Sequence, residues 1–300
     1  MRNMQNFHGT HKSRSFFEGW YFKHQCKGRT VAFIPGINMD EQGKKSAFIQ
    51  VITDASSYRL DFPYGCFHAS SHHESEMCIQ IENNRFSHTG VEINIQTEAI
   101  HCTGSIQYGP LTPLASDIMG PFQFCPIMEC RHGIISMSHL LQGSLLLNNE
   151  KIDFDGGIGY IEKDWGTSFP KSYLWVQCND FGDVPCSVVA SVAQIPLGGM
   201  HFQGCICVVN YNGKEYRLAT YKGVQVIRYD GTGFVLKQGD SVLTADVTPH
   251  ISQKLFAPQL GGMVRTIRES TACGARFRFY QNNDLLFDLQ SDSAGFEYVN

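Results

Sequence analysis

Apolar and polar residues alternate along much of the chain. Met77-Cys-Ile79-Gln-Ile81-Glu and Val91-Glu-Ile93-Asn-Ile95-Gln place apolar side chains at every second position. That period belongs to a β-strand with one face in a core and the other in water. Turn signals separate such runs. Asn148-Asn149 splits GSLLL from EKIDF, and Asn212-Gly213 lies between CICVVNY and KEYRLATY. Asp230-Gly231 lies between GVQVIRY and TGFVLKQ, and Asn282-Asn283 separates RFRFY from DLLFDL. Such pairs favour tight hairpins. No helical stripe exceeds about two turns. The stretches near 112–118 and 250–256 are the expected short helices. The pattern predicts an all-β protein of short strands.

There is an internal echo. FFEGWYFK (16–23) and GYIEKDWG (159–166) each place an aromatic residue and a Glu shortly before a Trp, near the start of each half. This predicts two β units, residues 1–150 and 151–300, with a linker near 143–157 and the second motif opening the second unit. The competing explanation is chance similarity between aromatic-rich strands.

Composition narrows the class. Hydrophobic residues make up 42% and charged residues 17%, as in a well-cored globular protein. The net charge is −4 and no basic run exceeds Lys44–Lys45, so nucleic acid is not an expected partner. No apolar run approaches the ~20 residues of a membrane helix, and no transmembrane segment is expected. The polar N-terminus lacks the apolar stretch of a secretory signal. Eleven Cys are scattered without a C-x-x-C pair, which points to reduced thiols in a cytoplasmic protein.

Four stretches carry a resemblance. They are FFEGWYFK, IMGPFQFCPIMECRHGIISMSHLLQGSL, GYIEKDWGTSFPKSYLWVQCN and LFAPQLGGMVRTIRESTACGARFRFY. Together, over about residues 16–298, they resemble the tocopherol cyclase family, itself distantly similar to carotenoid hydratases and to lipocalin-like Diels–Alder cyclases. The resemblance implies two lipocalin-like β-barrel or β-sandwich units. It also implies a cofactor-free closure of a chromanol ring, in which a prenylated hydroquinone's double bond is protonated and its phenol oxygen adds. The plant enzymes of the family carry a transit segment and longer insertions, whereas this chain starts close to its first motif. The fold is therefore expected to carry over more safely than the substrate, which is taken as a prenylated or polycyclic hydrophobic molecule.

That chemistry needs a strong acid, a dry pocket and a proton acceptor, and no cofactor or metal is expected. No phosphate-binding or nucleophile-elbow motif contradicts this. Candidate acids are Glu162, Asp164, Glu129 and Glu18. On a strand, Glu162 and Asp164 share a face. Two close carboxyls, desolvated beside Trp165, disfavour double ionisation, which leaves a neutral acid. The alternative is that Asp164 accepts backbone N–H groups at a turn. His132 lies three residues after Glu129, and His132 or His139 is a candidate acceptor for the phenol proton; either could equally be a core histidine. The odd spacing of these two histidines argues against a shared metal. His72-His73-Glu74 looks metal-like only in composition.

Trp20, Trp165 and Trp175 are candidate cavity walls able to stabilise a cation. For Trp20 and Trp165 the alternative is barrel closure, with Arg265 or Arg268 packed on the ring. Tyr173, Trp175, Gln177 and Asn179 share one face and would suit a polar head group. Arg265, on one face with Ile267 and Glu269, joins the substrate-binding set. A second functional class remains beside the cyclase: a non-catalytic carrier of a hydrophobic small molecule, which needs apolar walls and no buried acid.

Overall fold

The computed structural model describes residues 6–70, 76–197, 200–248 and 251–300. His72-His73-Glu74 lies outside the described residues. Among those described, the protein is all-β. Its first sheet has twelve strands. They are β1 (Phe16–Cys26), β2 (Arg29–Met39), β3 (Lys45–Thr53), β4 (Ser57–Pro63), β5 (Phe67–Ala69) and β6 (Cys78–Ile81). There follow β7 (Asn84–Ser87), β8 (Gly90–Gln96), β9 (His101–Tyr108), β10 (Cys130–Leu147), β11 (Glu150–Asp153) and β12 (Ile158–Gly166). In space the order is β4-β3-β2-β1-β12-β10-β9-β8-β7-β6-β5, with β11 on β10.

The second sheet has ten strands. They are β13 (Tyr173–Cys178), β14 (Cys186–Leu197), β15 (Met200–Tyr211), β16 (Lys214–Ala219) and β17 (Gln225–Asp230). The rest are β18 (Gly233–Gln238), β19 (Ser241–Val247), β20 (Gln253–Gln259), β21 (Gly262–Gln281) and β22 (Asp284–Val299). Their order is β16-β15-β14-β13-β22-β21-β19-β18-β17, with β20 on β21.

The turn chemistry explains the meander. Asn148-Asn149, Asn212-Gly213 and Asn282-Asn283 have positive φ at both positions, as does Lys27-Gly28. Two left-handed residues in a two-residue loop match the twist of the flanking strands. The register follows, with Leu147 opposite Glu150, Tyr211 opposite Lys214 and Gln281 opposite Asp284. The expected helices are absent from the described residues at 112–118, and 253–259 is strand β20. Short 3-10 turns stand instead at Tyr64–Cys66, Gly120–Phe124 and Thr220–Lys222.

The chain forms two compact units. The first comprises Met1–Pro113, Glu129–Phe169 and Leu255–Thr266; the second comprises Leu114–Met128, Pro170–Lys254 and Ile267–Asn300. Each has its own apolar core. Phe22, Phe33, Ile49, Phe86 and Ile161 centre the first, and Val176, Val188, Phe234, Phe277 and Phe279 the second. The structure differs from the sequence expectation around residue 150. The stretch 143–157 runs through β10, a hairpin turn and β11, and the GYIEKDWG strand is β12, inside the first sheet between β1 and β10. The Asn-rich composition there marks a hairpin rather than a boundary.

Candidate active site

β12 is held on both sides, and its alternation sorts its charges between two faces. Against β1 it pairs Gly19 with Asp164, Trp20 with Lys163 and Tyr21 with Glu162. Against β10 it pairs His132 with Asp164 and Ile134 with Glu162. Tyr160, Glu162, Asp164 and His132 therefore lie on one face. Ile161, Lys163 and Trp165 lie on the other, with Glu18 and Trp20.

On the first face the polar groups touch. His132 Nδ1 is 2.9 Å from Asp164 Oδ1, and His132 Nε2 is 3.5 Å from Glu162 Oε2. The Tyr160 hydroxyl donates to Glu162 Oε2 at 2.5 Å. Glu162 is 5% exposed and Tyr160 1%, so both are withdrawn from water. Burial first, and the Glu162 carboxyl second, push the Tyr160 phenol well above its usual range, which keeps it a donor. The Cys130 thiol, 3.9 Å from Asp164 Oδ1, is pushed up by burial and by Asp164, so it is no nucleophile. His132, Glu162 and Asp164 each present one donor atom within 4.8 Å of the others, a spacing that could also hold a metal ion.

The opposite face carries a complete ion-pair network. Lys163 Nζ is 2.6 Å from Glu18 Oε1, and neither side chain is exposed. The ammonium also donates to Asn6 O at 2.5 Å and lies 3.0 Å from His8 Nδ1. The His8 backbone N–H donates to both Glu18 oxygens, at 3.1 and 2.9 Å. Lys163 Nζ sits 4.8 Å from the Trp20 ring centre and 5.3 Å from that of Trp165. Burial pulls the Lys163 ammonium below its usual range, and Glu18 opposes the shift. The His8 ring stacks on Trp165 at 4.4 Å.

Several sequence expectations change here. Trp165 does not flank the carboxyls, because one residue along a strand reverses the side-chain direction. Trp20 and Trp165 face Lys163 and belong to the first core. Glu129 is exposed and enters through its backbone carbonyl, which accepts from Thr167 N at 2.7 Å. Glu18, named only as a candidate acid, is the partner of Lys163. His139 is buried in a separate polar group described below. Arg265 is half-buried on β21, within the first unit.

The second unit brings together a different set. On β13, Leu174, Val176 and Cys178 enter the core, while Tyr173, Trp175 and Gln177 are buried on the other face. Asn179, just past the strand, is buried as well. The Tyr173 hydroxyl donates to Glu297 Oε2 at 2.6 Å. Glu297 stands opposite Trp175 on one side and Glu269 on the other, and both Glu are buried. Sequence reasoning missed Tyr160 and Glu297. Tyr160-x-Glu162 was legible as a same-face phenol–carboxyl pair, whereas Glu297 lies 124 positions from Tyr173 and had no local signal.

A sequence profile described as tocopherol cyclase-like matches residues 99–299. The chain belongs to the tocopherol cyclase-like family. Among curated relatives, "Probable tocopherol cyclase, chloroplastic" of Oryza sativa subsp. japonica is 28% identical over 120 residues, 39% of this chain and 26% of the relative. "Tocopherol cyclase, chloroplastic" of Zea mays is 28% identical over 102 residues, 33% of this chain and 22% of the relative. The matched stretch thus spans about a quarter of the length of these relatives. Among solved structures, CghA with Sch210972 superposes with a TM-score of 0.62 at 11% identity, covering 95% of this chain and 88% of that one. Kievitone hydratase from Nectria haematococca gives 0.55 at 13% identity, covering 100% and 94%. These likenesses establish the fold of this tocopherol cyclase-like protein as lipocalin-like β units. Among the described residues, no helix is long and apolar enough to cross a membrane.

Proposed function

We propose that this member of the tocopherol cyclase-like family is a cofactor-independent cyclase acting on a prenylated hydroquinone or a related hydrophobic substrate. The observation that carries the reading is the buried Glu162 carboxyl, bonded by Tyr160 and flanked by His132 and Asp164. Burial and a neighbouring carboxylate both favour the neutral form of a carboxyl. Glu162 is the acid, and Asp164, engaged by His132, tunes it. Glu162 delivers its proton to an alkene carbon of the prenyl chain. The phenol oxygen adds to the resulting cation, and the phenolic proton returns to the Glu162 carboxylate directly or through His132. One C–H and one C–O bond form, one π bond and one O–H bond break, and the product is an isomer of the substrate. Tyr173, Trp175, Gln177 and Asn179 are proposed as the ligand-contacting surface of the second unit.

The test is turnover of a 2-methyl-6-prenylated hydroquinone, with product separated by retention time because cyclisation leaves the mass unchanged. Wild type is compared with Glu162→Gln and Asp164→Asn. Turnover that collapses in a folded Glu162→Gln variant supports the assignment. Tight binding without turnover in every variant would replace it with a carrier function.

A further inference from the structure

A second polar group lies within the first unit, and the proposed reaction does not use it. His24 and His139 are 0% and 4% exposed, and Tyr108 packs against the same core. These residues stand on β1, β10 and β9, and β12 runs between the first two. The register sets His24 opposite Gly159, and Gly159 opposite His139. Tyr108 pairs with Leu141, two residues beyond His139. The Tyr108 hydroxyl reaches back across β10 and β12 to lie 2.6 Å from His24 Nε2. Gly159, between His24 and His139 in the register, leaves room for the His139 ring. A Cβ added at Gly159 would meet His139 Nε2 at 2.3 Å, so that nitrogen lies directly over the glycine. The Tyr108 and His139 ring centres are 4.4 Å apart.

The surrounding hydrogen bonds assign both tautomers. His24 Nδ1 lies 3.2 Å from Val31 O, an acceptor, so Nδ1 carries the proton and Nε2 is bare. His139 Nδ1 lies 3.0 Å from Ser136 Oγ, whose own proton goes to Ser138 O at 3.0 Å. His139 Nδ1 is therefore the donor and its Nε2 is bare, and among the described residues nothing hydrogen-bonds to that Nε2. His24 Nε2 thus meets the Tyr108 phenol oxygen, while the bare His139 Nε2 lies over Gly159 on an imidazole packed beside the Tyr108 ring. Each imidazole is fixed from behind by an N–H bond to a carbonyl or hydroxyl oxygen. That is the arrangement by which proteins orient metal-binding histidines.

We propose that His24 Nε2, His139 Nε2 and Tyr108 Oη bind one divalent first-row transition-metal ion, with Tyr108 as phenolate. Imidazole and phenolate donors suit such ions, and three protein ligands leave a fourth position open. Binding displaces the Tyr108 hydroxyl proton to solvent, one per ion, with no change of oxidation state. The site is distinct from His132, Glu162 and Asp164, which lie on the opposite face of the sheet and already engage one another.

The experiment titrates the full-length protein with Co²⁺ after chelator treatment. It follows visible absorption, proton release and the X-ray absorption edge. One equivalent is expected to bind with the intense bands of a four-coordinate ion, nitrogen and oxygen neighbours, and release of one proton. His139→Gln is expected to weaken binding at least about tenfold. Tyr108→Phe keeps the ring volume and is expected to abolish the proton release, while His132→Gln leaves binding unchanged. Absence of stoichiometric binding overturns the proposal. So does a sulfur neighbour, or loss of the ion in His132→Gln with retention in Tyr108→Phe. Circular dichroism establishes that each variant is folded, and Tyr108→Phe decides alone if His139→Gln is not.

Discussion

Glu162 and Lys163 are consecutive, and their side chains leave the sheet in opposite directions into different polar networks. Glu162 meets His132 and Tyr160, while Lys163 meets Glu18 between two tryptophans. The same strand thus supports both a candidate acid and a structural ion pair.

The ion pair predicts a large stability effect. Lys163→Met leaves Glu18 buried without its cation, at a cost of about 3–5 kcal/mol. Replacing both partners with apolar residues of similar volume is expected to recover much of that loss. Urea unfolding of the single and double variants measures it. A single variant within about 1 kcal/mol of wild type would show that His8 holds Glu18 without the lysine.

The acid assignment predicts a rate effect with little effect on KM. Glu162→Gln is expected to lower kcat by about 10²–10⁴-fold. Tyr160→Phe, which removes one bond to the same carboxyl, should cost about tenfold, in line with ~1–1.5 kcal/mol for a hydrogen bond. Steady-state kinetics on the prenylated hydroquinone tests both. A Tyr160→Phe variant slower than Glu162→Gln would reverse their roles.

In the second unit, Tyr173→Phe removes one hydrogen bond to the buried Glu297. A loss of about 1–3 kcal/mol in stability is expected. If this surface contacts the ligand, Trp175→Ala and Gln177→Ala raise KM while kcat holds. A fall in kcat at constant KM would place these residues in the chemistry instead.

Acid should destabilise the metal-free protein before most carboxylates titrate. Burial lowers the pKa of His24 from 6.5 to about 4, and burial with the nearby His24 lowers that of His139 from 6.5 to about 3. Both groups are neutral in the folded state where the unfolded chain binds protons. Their contribution is fully present above pH 6.5 and is lost as pH falls toward 4 and then 3. Each contributes a slope of about 1.4 kcal/mol per pH unit in that window. Urea unfolding from pH 8 to 4.5 in chelator should show the decline, with a shallower slope in His24→Gln. A flat profile would mean that the two rings are hydrated.

Much of the architecture was legible because strands and hairpins are local. The alternation at Val91–Gln96 and the Asn212-Gly213 turn need no distant partner to be read. The pairing of β1 with β12 was not legible, since register between strands some 140 positions apart leaves no local trace. That pairing separates Trp165 from Asp164 and gives Lys163 to Glu18. His132 with Asp164 could be named as candidates, but only the register of β10 on β12 sets them side by side.

Each unit is assembled from three separate stretches of chain, and this governs how the protein can be made. The first unit is complete only when residues 255–266 arrive, because Phe256 takes both hydrogen bonds of the Gln50 side chain and Pro258 O accepts from Phe169 N. A ribosome therefore releases most of the chain before either unit can close. No single cut yields an intact half: dissection at residue 150 would strip β12 and the β11 pairing from the first sheet and residues 114–128 from the second unit.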